Sequence, residues 1–186
     1  MALEMVYQLN IGRSSIPPMQ VTRMFREWSK GRTNYLLSDG VNPRDPSLKL
    51  KYSKIPKYIA PDVVSAATRG PNRTRNSMSN LTWGSPIETG FNYLVRLHFC
   101  KMDPRIHISS LRVFAIYIDY QLAEEMANVI LWANDNDMPY YKDYVVMIQN
   151  KGEDSHTLAI DLHPRTDSTF YDAILNGVEV FKLRPI

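Results

Sequence analysis

Four histidines, a single cysteine and two adjacent acidic pairs are the side chains in this 186-residue chain best suited to chemistry. His98, His107, His156 and His163 have no i, i+4 partner on a helix and no second cysteine beside them, so they do not compose a zinc set. Asn134, Asp135 and Asp137 crowd oxygen donors together, but without the central glycine and closing glutamate of an EF-hand calcium loop. Those three read as a solvated loop. Glu124–Glu125 and Glu153–Asp154 are neighbours in sequence. Neighbours on a strand point to opposite faces, so neither pair is an acid–base couple. Cys100 has no partner for an internal disulfide and reads as a small buried hydrophobe. There is no Gly-x-Ser-x-Gly elbow, no Gly-x-Gly-x-x-Gly and no Gly-Lys-Ser/Thr loop. The expectation is a chain with no catalytic residue, no metal site and no cofactor.

Binding groups are easier to find. Trp132, Tyr140, Tyr141 and Asp143 follow or flank a polar loop. Aromatic rings beside a carboxylate suit a sugar, which has an apolar face and hydroxyl edges. The competing reading is that two of the aromatics are core and the others lie flat on the surface. Asn72-Arg-Thr and Asn80-Leu-Thr are N-glycosylation sequons eight residues apart, which makes Asn72 and Asn80 glycan acceptors in a secreted chain.

The element that must position these groups is Phe91–Cys100. Phe91, Tyr93, Val95, Leu97 and Phe99 alternate with Asn92, Leu94, Arg96 and His98, the period of a strand with one buried face. Further strands are expected at Val6–Ile11, Leu48–Tyr52, from Leu81, at Leu111–Asp119, Tyr140–Ile148 and Leu158–Leu162, and at Ala173–Leu183. The stretch Pro61–Thr68 has a proline at a helix start and Gly70 as a stop, and is read as two helical turns. Gln121–Val129 fits a helical turn or an irregular strand. Short strands, one or two short helices and long loops make an all-β sandwich or jelly roll, in a single domain over 1–186.

Composition narrows the partners. Residues 1–80 hold 13 Lys and Arg against 5 Asp and Glu, a balance of +8; residues 81–186 hold 9 against 14, a balance of −5. The basic residues are scattered rather than lining a groove-reading helix, which argues against nucleic acid. A basic first half is compatible with a polyanion. No run of about 18 apolar residues spans a membrane, and the N-terminus lacks the pattern of a signal peptide.

Four segments together carry a family resemblance: Phe91–Cys100, Tyr140–Val146, Leu158–Pro164 and Tyr171–Leu183. They resemble the malectin-like domain of plant receptor-like kinases of the FERONIA, or Catharanthus roseus receptor-kinase-like, group. Tyr7–Gly12 and Met24–Trp28 are similar to the opening of the second, membrane-proximal malectin-like domain. The resemblance implies a malectin-like β-sandwich from a cell-surface receptor, whose Ser/Thr kinase and membrane helix lie elsewhere. It implies an extracellular position, recognition of a secreted RALF-type peptide with a GPI-anchored co-receptor, and contact with cell-wall pectin. The chain is then a fragment of, or a shortened, receptor ectodomain; a lectin-like carbohydrate-binding module is the alternative. One departure stands out: the family has Glu after the strand cysteine, and this chain has Lys101.

Overall fold

A computed structural model describes residues 2–11, 15–17, 27–30, 49–59, 62, 64, 80–103, 106, 108 and 111–184. The strands are β1 (Ala2–Asn10), β2 (Ser29–Lys30), β3 (Leu81–Glu88), β4 (Phe91–Phe99), β5 (Phe114–Ile118), β6 (Gln121–Ala127), β7 (Tyr140–Ile148), β8 (Ser155–Pro164) and β9 (Gly177–Arg184). One short helix, α1 (Val129–Ala133), links β6 to β7. Asn128 caps its start by accepting from the Leu131 N–H, and Asn134, in left-handed conformation, ends it. The strands form two sheets. Sheet one has the order β2-β1-β9-β4-β7; sheet two has β3-β8-β5-β6. Among the described residues no helix is long and apolar enough to cross a membrane.

Alternation in β4 is the reason the layers stack. Tyr93, Val95, Leu97 and Phe99 are buried between the sheets, with Val178 and Val180 of β9 and Val146 and Ile148 of β7 beside them. Leu81, Trp83 and Ile87 of β3, Phe114 and Ile116 of β5, and Leu158, Ile160 and Leu162 of β8 close the core from the opposite sheet. Side chains spaced two apart from both layers interdigitate, which is how a sandwich buries apolar area without long helices. The β5–β6 hairpin turns at Asp119 and Tyr120, both with positive φ (50° and 63°). That geometry matches the strand twist but normally draws Asn and Gly, so this pair of side chains holds a costly conformation.

Some expectations shift. Lys49–Tyr52 is not a strand: its apolar–Lys alternation is met by one backbone bond, the Lys51 N–H to the Asp137 carbonyl (2.8 Å), and by the Lys51–Asp135 pair. Gln121–Ala127 is the irregular strand, with two register shifts against β5. The last strand begins at Gly177; Ala173–Asn176 is buried irregular chain whose Asn176 N–H donates to the His98 carbonyl. The expected helix over 61–68 lies mostly outside the described residues, though Asp62 and Val64 within it are helical. Asn72 and His107 also lie outside them.

Candidate recognition surfaces

The outer face of sheet one can be read row by row from the strand register. Four strands contribute in the order β1, β9, β4, β7. The first row is Leu3, Leu183, Asn92 and Met147; the second is Met5, Phe181, Leu94 and Val145. A bulge in β1 between Met5 and Tyr7 resets the phase. The third row is then Gln8, Glu179, Arg96 and Asp143, and the fourth is Asn10, Gly177, His98 and Tyr141. One half of the face is apolar apart from the exposed Asn92, and the other is polar.

The polar half is the covered one. Glu179 is fully buried, as are Asn10 and His98. The Glu179 carboxylate lies 2.8 Å from His98 Nε2 and accepts from Gln8 Nε2 at 2.8 Å. A strap lies over it. Trp28 and Ile16 exchange backbone hydrogen bonds (2.8 and 3.0 Å), and with Val64 they form a small buried cluster. The Trp28 ring meets His98 edge-on at 5.3 Å. Gly177 lets the strap seat: a Cβ there would sit 2.7 Å from Val64 and 2.9 Å from the Trp28 ring. Trp28 Nε1 and His98 Nδ1 are buried with no hydrogen-bond partner among the described residues. A charged residue in the middle of the apolar run Val178-Glu-Val-Phe was the signal in the sequence for this network, but its partners Gln8 and Trp28 are too distant in sequence to be read from it.

Beyond the strap, Arg96 completes the row. It donates twice to Asp143 (2.7 and 2.7 Å), and its guanidinium lies 4.0 Å over the Tyr141 ring. The bidentate bond to Asp143 holds that guanidinium above its ordinary pKa. Tyr141 and Asp143 are therefore together on the outer face, clamping Arg96. Tyr140, one residue away, points to the other side of β7. It meets Trp132 at 6.1 Å, and Trp132 packs edge-on against Phe99 at 5.6 Å. Lys142 Nζ sits 4.2 Å over the Trp132 ring and pairs with Glu124. The four aromatic and acidic candidates thus form two pairs on two faces, not one cleft. Asn80 is exposed just before β3.

The end of the sandwich beyond the C-terminus of β4 carries a second set of charges. Lys101 is buried and donates to Asn136 Oδ1 (2.9 Å), while its carbonyl accepts from the Asp137 N–H (2.9 Å). Arg112 makes a bidentate pair with Asp172 (2.6 and 2.7 Å). Burial, with the like charge of Arg112, pushes the Lys101 ammonium down to about 8. Below pH 8 the folded state carries the whole cost of a buried ammonium. Between there and the ordinary value of 10.5 the unfolded chain binds more protons, so stability rises with pH. Lys101→Met should abolish that rise and stabilise the neutral-pH protein by about 1–2 kcal/mol. Urea midpoints of both forms between neutral pH and the upper end of that window check it.

At the opposite end, Thr89, Asp119, Gln121, Lys151, Glu153 and His156 contribute to the lining of an open cleft of about 250 Å³, with His156 Nε2 2.5 Å from Asp119 Oδ1. Among the described residues no group of three His, Cys, Asp or Glu side chains is placed to hold a metal ion.

Comparison with known proteins places this geometry. The family model for the malectin-like domain matches residues 1–183. The receptor-like protein kinase FERONIA of Arabidopsis thaliana is 41% identical over 189 residues, covering 98% of this chain and 21% of the relative. ANXUR1 from the same plant is 32% identical, covering 97% of this chain and 22% of the relative. Among solved structures, the plant receptor-like kinase FER matches with a TM-score of 0.90 at 39% identity, over 98% of this chain and 50% of that one. A complex of FER with the peptide RALF23 and LLG2 matches at 0.87 and 39%, over 98% and 49%. The ANX2 ectodomain of Arabidopsis thaliana matches at 0.88 and 30%, over 99% and 51%. The chain spans about a fifth of the receptor kinases and about half of the solved chains.

Proposed function

Since the chain belongs to the malectin-like family and is a non-catalytic module related to receptor-kinase ectodomains, we propose that it recognises a secreted peptide of the RALF type together with an LLG2-type, GPI-anchored co-receptor, on the outer side of the plasma membrane. The observation that carries this is the relative solved with RALF23 and LLG2, whose chain superimposes on 98% of this one. Residues 1–186 act as one module in this reading. Contacts fall to loops and edges, because the core and the strapped half of sheet one are already filled. Asn80 and Asn72 are glycan acceptors, and the basic first half favours acidic partners, cell-wall pectin among them. Titration of the immobilised chain with a RALF-type peptide, with and without LLG2-type protein, tests the reading. Binding that strengthens when both are present, and weakens with salt, is expected; no interaction in either arm rules it out.

A carbohydrate reading has one observation of its own, the paired Trp132 and Tyr140 rings on the flank beside α1. There Lys142 would have to leave the Trp132 face for a sugar ring to stack. Tyr141 and Asp143 would serve only if they released Arg96. A glycan array blank for pectin fragments and glucosyl oligosaccharides removes this second reading.

A further inference from the structure

Along the edges of β1 and β3 the two sheets leave a seam. Among the described residues β2 covers β1 only at Leu9 and Asn10, and β3 is the outermost strand of sheet two. Tyr7 Oη donates across this seam to the Pro86 carbonyl (2.6 Å). Next to that bridge lies an open groove of about 410 Å³, with apolar walls from Met5, Val6, Pro86, Ile87 and Tyr93. A site for a small molecule has about 300–1,000 Å³, mostly apolar lining and a few placed polar groups.

The polar group here is a buried cation. Glu4, Lys182 and Tyr93 are register partners on β1, β9 and β4, so Lys182 stands on the inner face beside the core residue Tyr93. Lys182 is 2% exposed and contributes to the groove lining. Its Nζ lies 3.5 Å over the Phe91 ring. Among the described residues the Glu88 carboxylate is the one hydrogen-bond partner of that ammonium. The two partners are unequal. Glu88 ends β3 and its side chain is 66% exposed. It can swing into water at little cost, because an exposed ion pair is worth little. Lys182 cannot follow it, and a buried ammonium left without a counter-ion is strongly destabilising. Glu4, the other carboxylate of the lining, is already paired with Arg184. The groove therefore demands an anion on Lys182, and the anion now there is an exchangeable one.

We propose that this groove binds a small organic monocarboxylate with an apolar body, whose carboxylate takes the place of Glu88 on Lys182. The apolar body lies along the Met5, Pro86 and Ile87 walls, and the charge-assisted bond to the buried ammonium fixes its orientation. Glu4 and the displaced Glu88 surround the site with negative charge, which disfavours phosphate, sulfate and acidic polymers. The inference stands apart from peptide recognition, since it uses a groove between two strand edges and a ligand of another class.

Isothermal titration of this chain at neutral pH with 3-phenylpropionate, its neutral amide and the dianion phthalate tests the site. The acid is expected to bind with a Kd on the order of 1 mM, and the amide and phthalate about tenfold more weakly or worse. Glu88→Gln removes the internal competitor, so the acid should bind the variant about threefold tighter or better, with the amide unchanged. Lys182→Met keeps the length of the side chain without its charge and should abolish the preference for acid over amide. A merely structural Lys182–Glu88 pair predicts no gain for Glu88→Gln, and that result overturns the proposal. So does an amide that binds as well as the acid, and so does the absence of binding to both wild type and Glu88→Gln at about ten times the expected Kd. The tripeptide glycyl-glycyl-phenylalanine carries the same ring and carboxylate at a chain end. If it binds more tightly than 3-phenylpropionate, the site reads peptide termini, and the assignment to a small acid falls.

Discussion

Replacing Glu179 by alanine should destabilise the protein by about 3–5 kcal/mol, because it removes the acceptor at the centre of a buried polar network and strands its partners. The carboxylate is fully buried and takes hydrogen bonds from Gln8 and His98 on the two flanking strands. Alanine would leave both polar groups beneath the strap without an acceptor, and each such loss costs on the order of 1–3 kcal/mol. Glu179→Gln keeps the shape and one acceptor oxygen, so its cost should be about half. Urea unfolding measures both: the midpoint should fall in the order wild type, Gln, Ala with little change in slope. An alanine variant as stable as wild type would mean that the network contributes nothing to the outer face of sheet one.

Trp28→Ala is the second large effect, expected at about 3–5 kcal/mol for deletion of a buried aromatic. Its ring is fully buried, seated against Gly177, His98 and Val64. Gly177→Ala should reproduce part of the loss, because the new methyl would occupy the space the ring and Val64 use. The two changes act on one contact, so their effects should not add. Thermal unfolding of the single and double variants checks this; full additivity would separate the strap from β9.

The sequence marks Trp28 as an aromatic that docks on the core from a long loop, and it is buried; it does not say that Trp28 and Glu179 meet around His98 and Gly177. The strands themselves are legible: alternation marks Phe91–Phe99, because a buried face leaves a period of two whatever it packs on, and Tyr140–Ile148 reads as a further strand, both with the bounds the structure has. The outer face was not legible. Asn92, Leu94, Arg96 and His98 read as a mixed row, and only the register with β9 and β7 sorts them into an open half that is apolar apart from Asn92 and a polar half that the strap covers in part. His98 is buried because a strap some 70 residues earlier lies on it, a long-range fact that local pattern cannot contain. The edge strand expected at Leu48–Tyr52 is not found for the complementary reason: its alternation is sound, but among the described residues no strand pairs with residues 49–52. Of the binding candidates, sequence proximity grouped Trp132, Tyr140, Tyr141 and Asp143, and the pleat of β7 divided them between two faces. Lys101, met in the sequence only as a departure from the family, is buried beside Asn136 and Asp137, residues that read as solvated loop.

The most direct test of the recognition role is amide hydrogen exchange on this chain, alone and then with a RALF-type peptide and LLG2-type protein. The prediction is slow exchange in β4 and β9 in both states, with ligand-dependent protection confined to loops and edge strands. No ligand-dependent protection anywhere, or protection centred on β4 and β9, would contradict it.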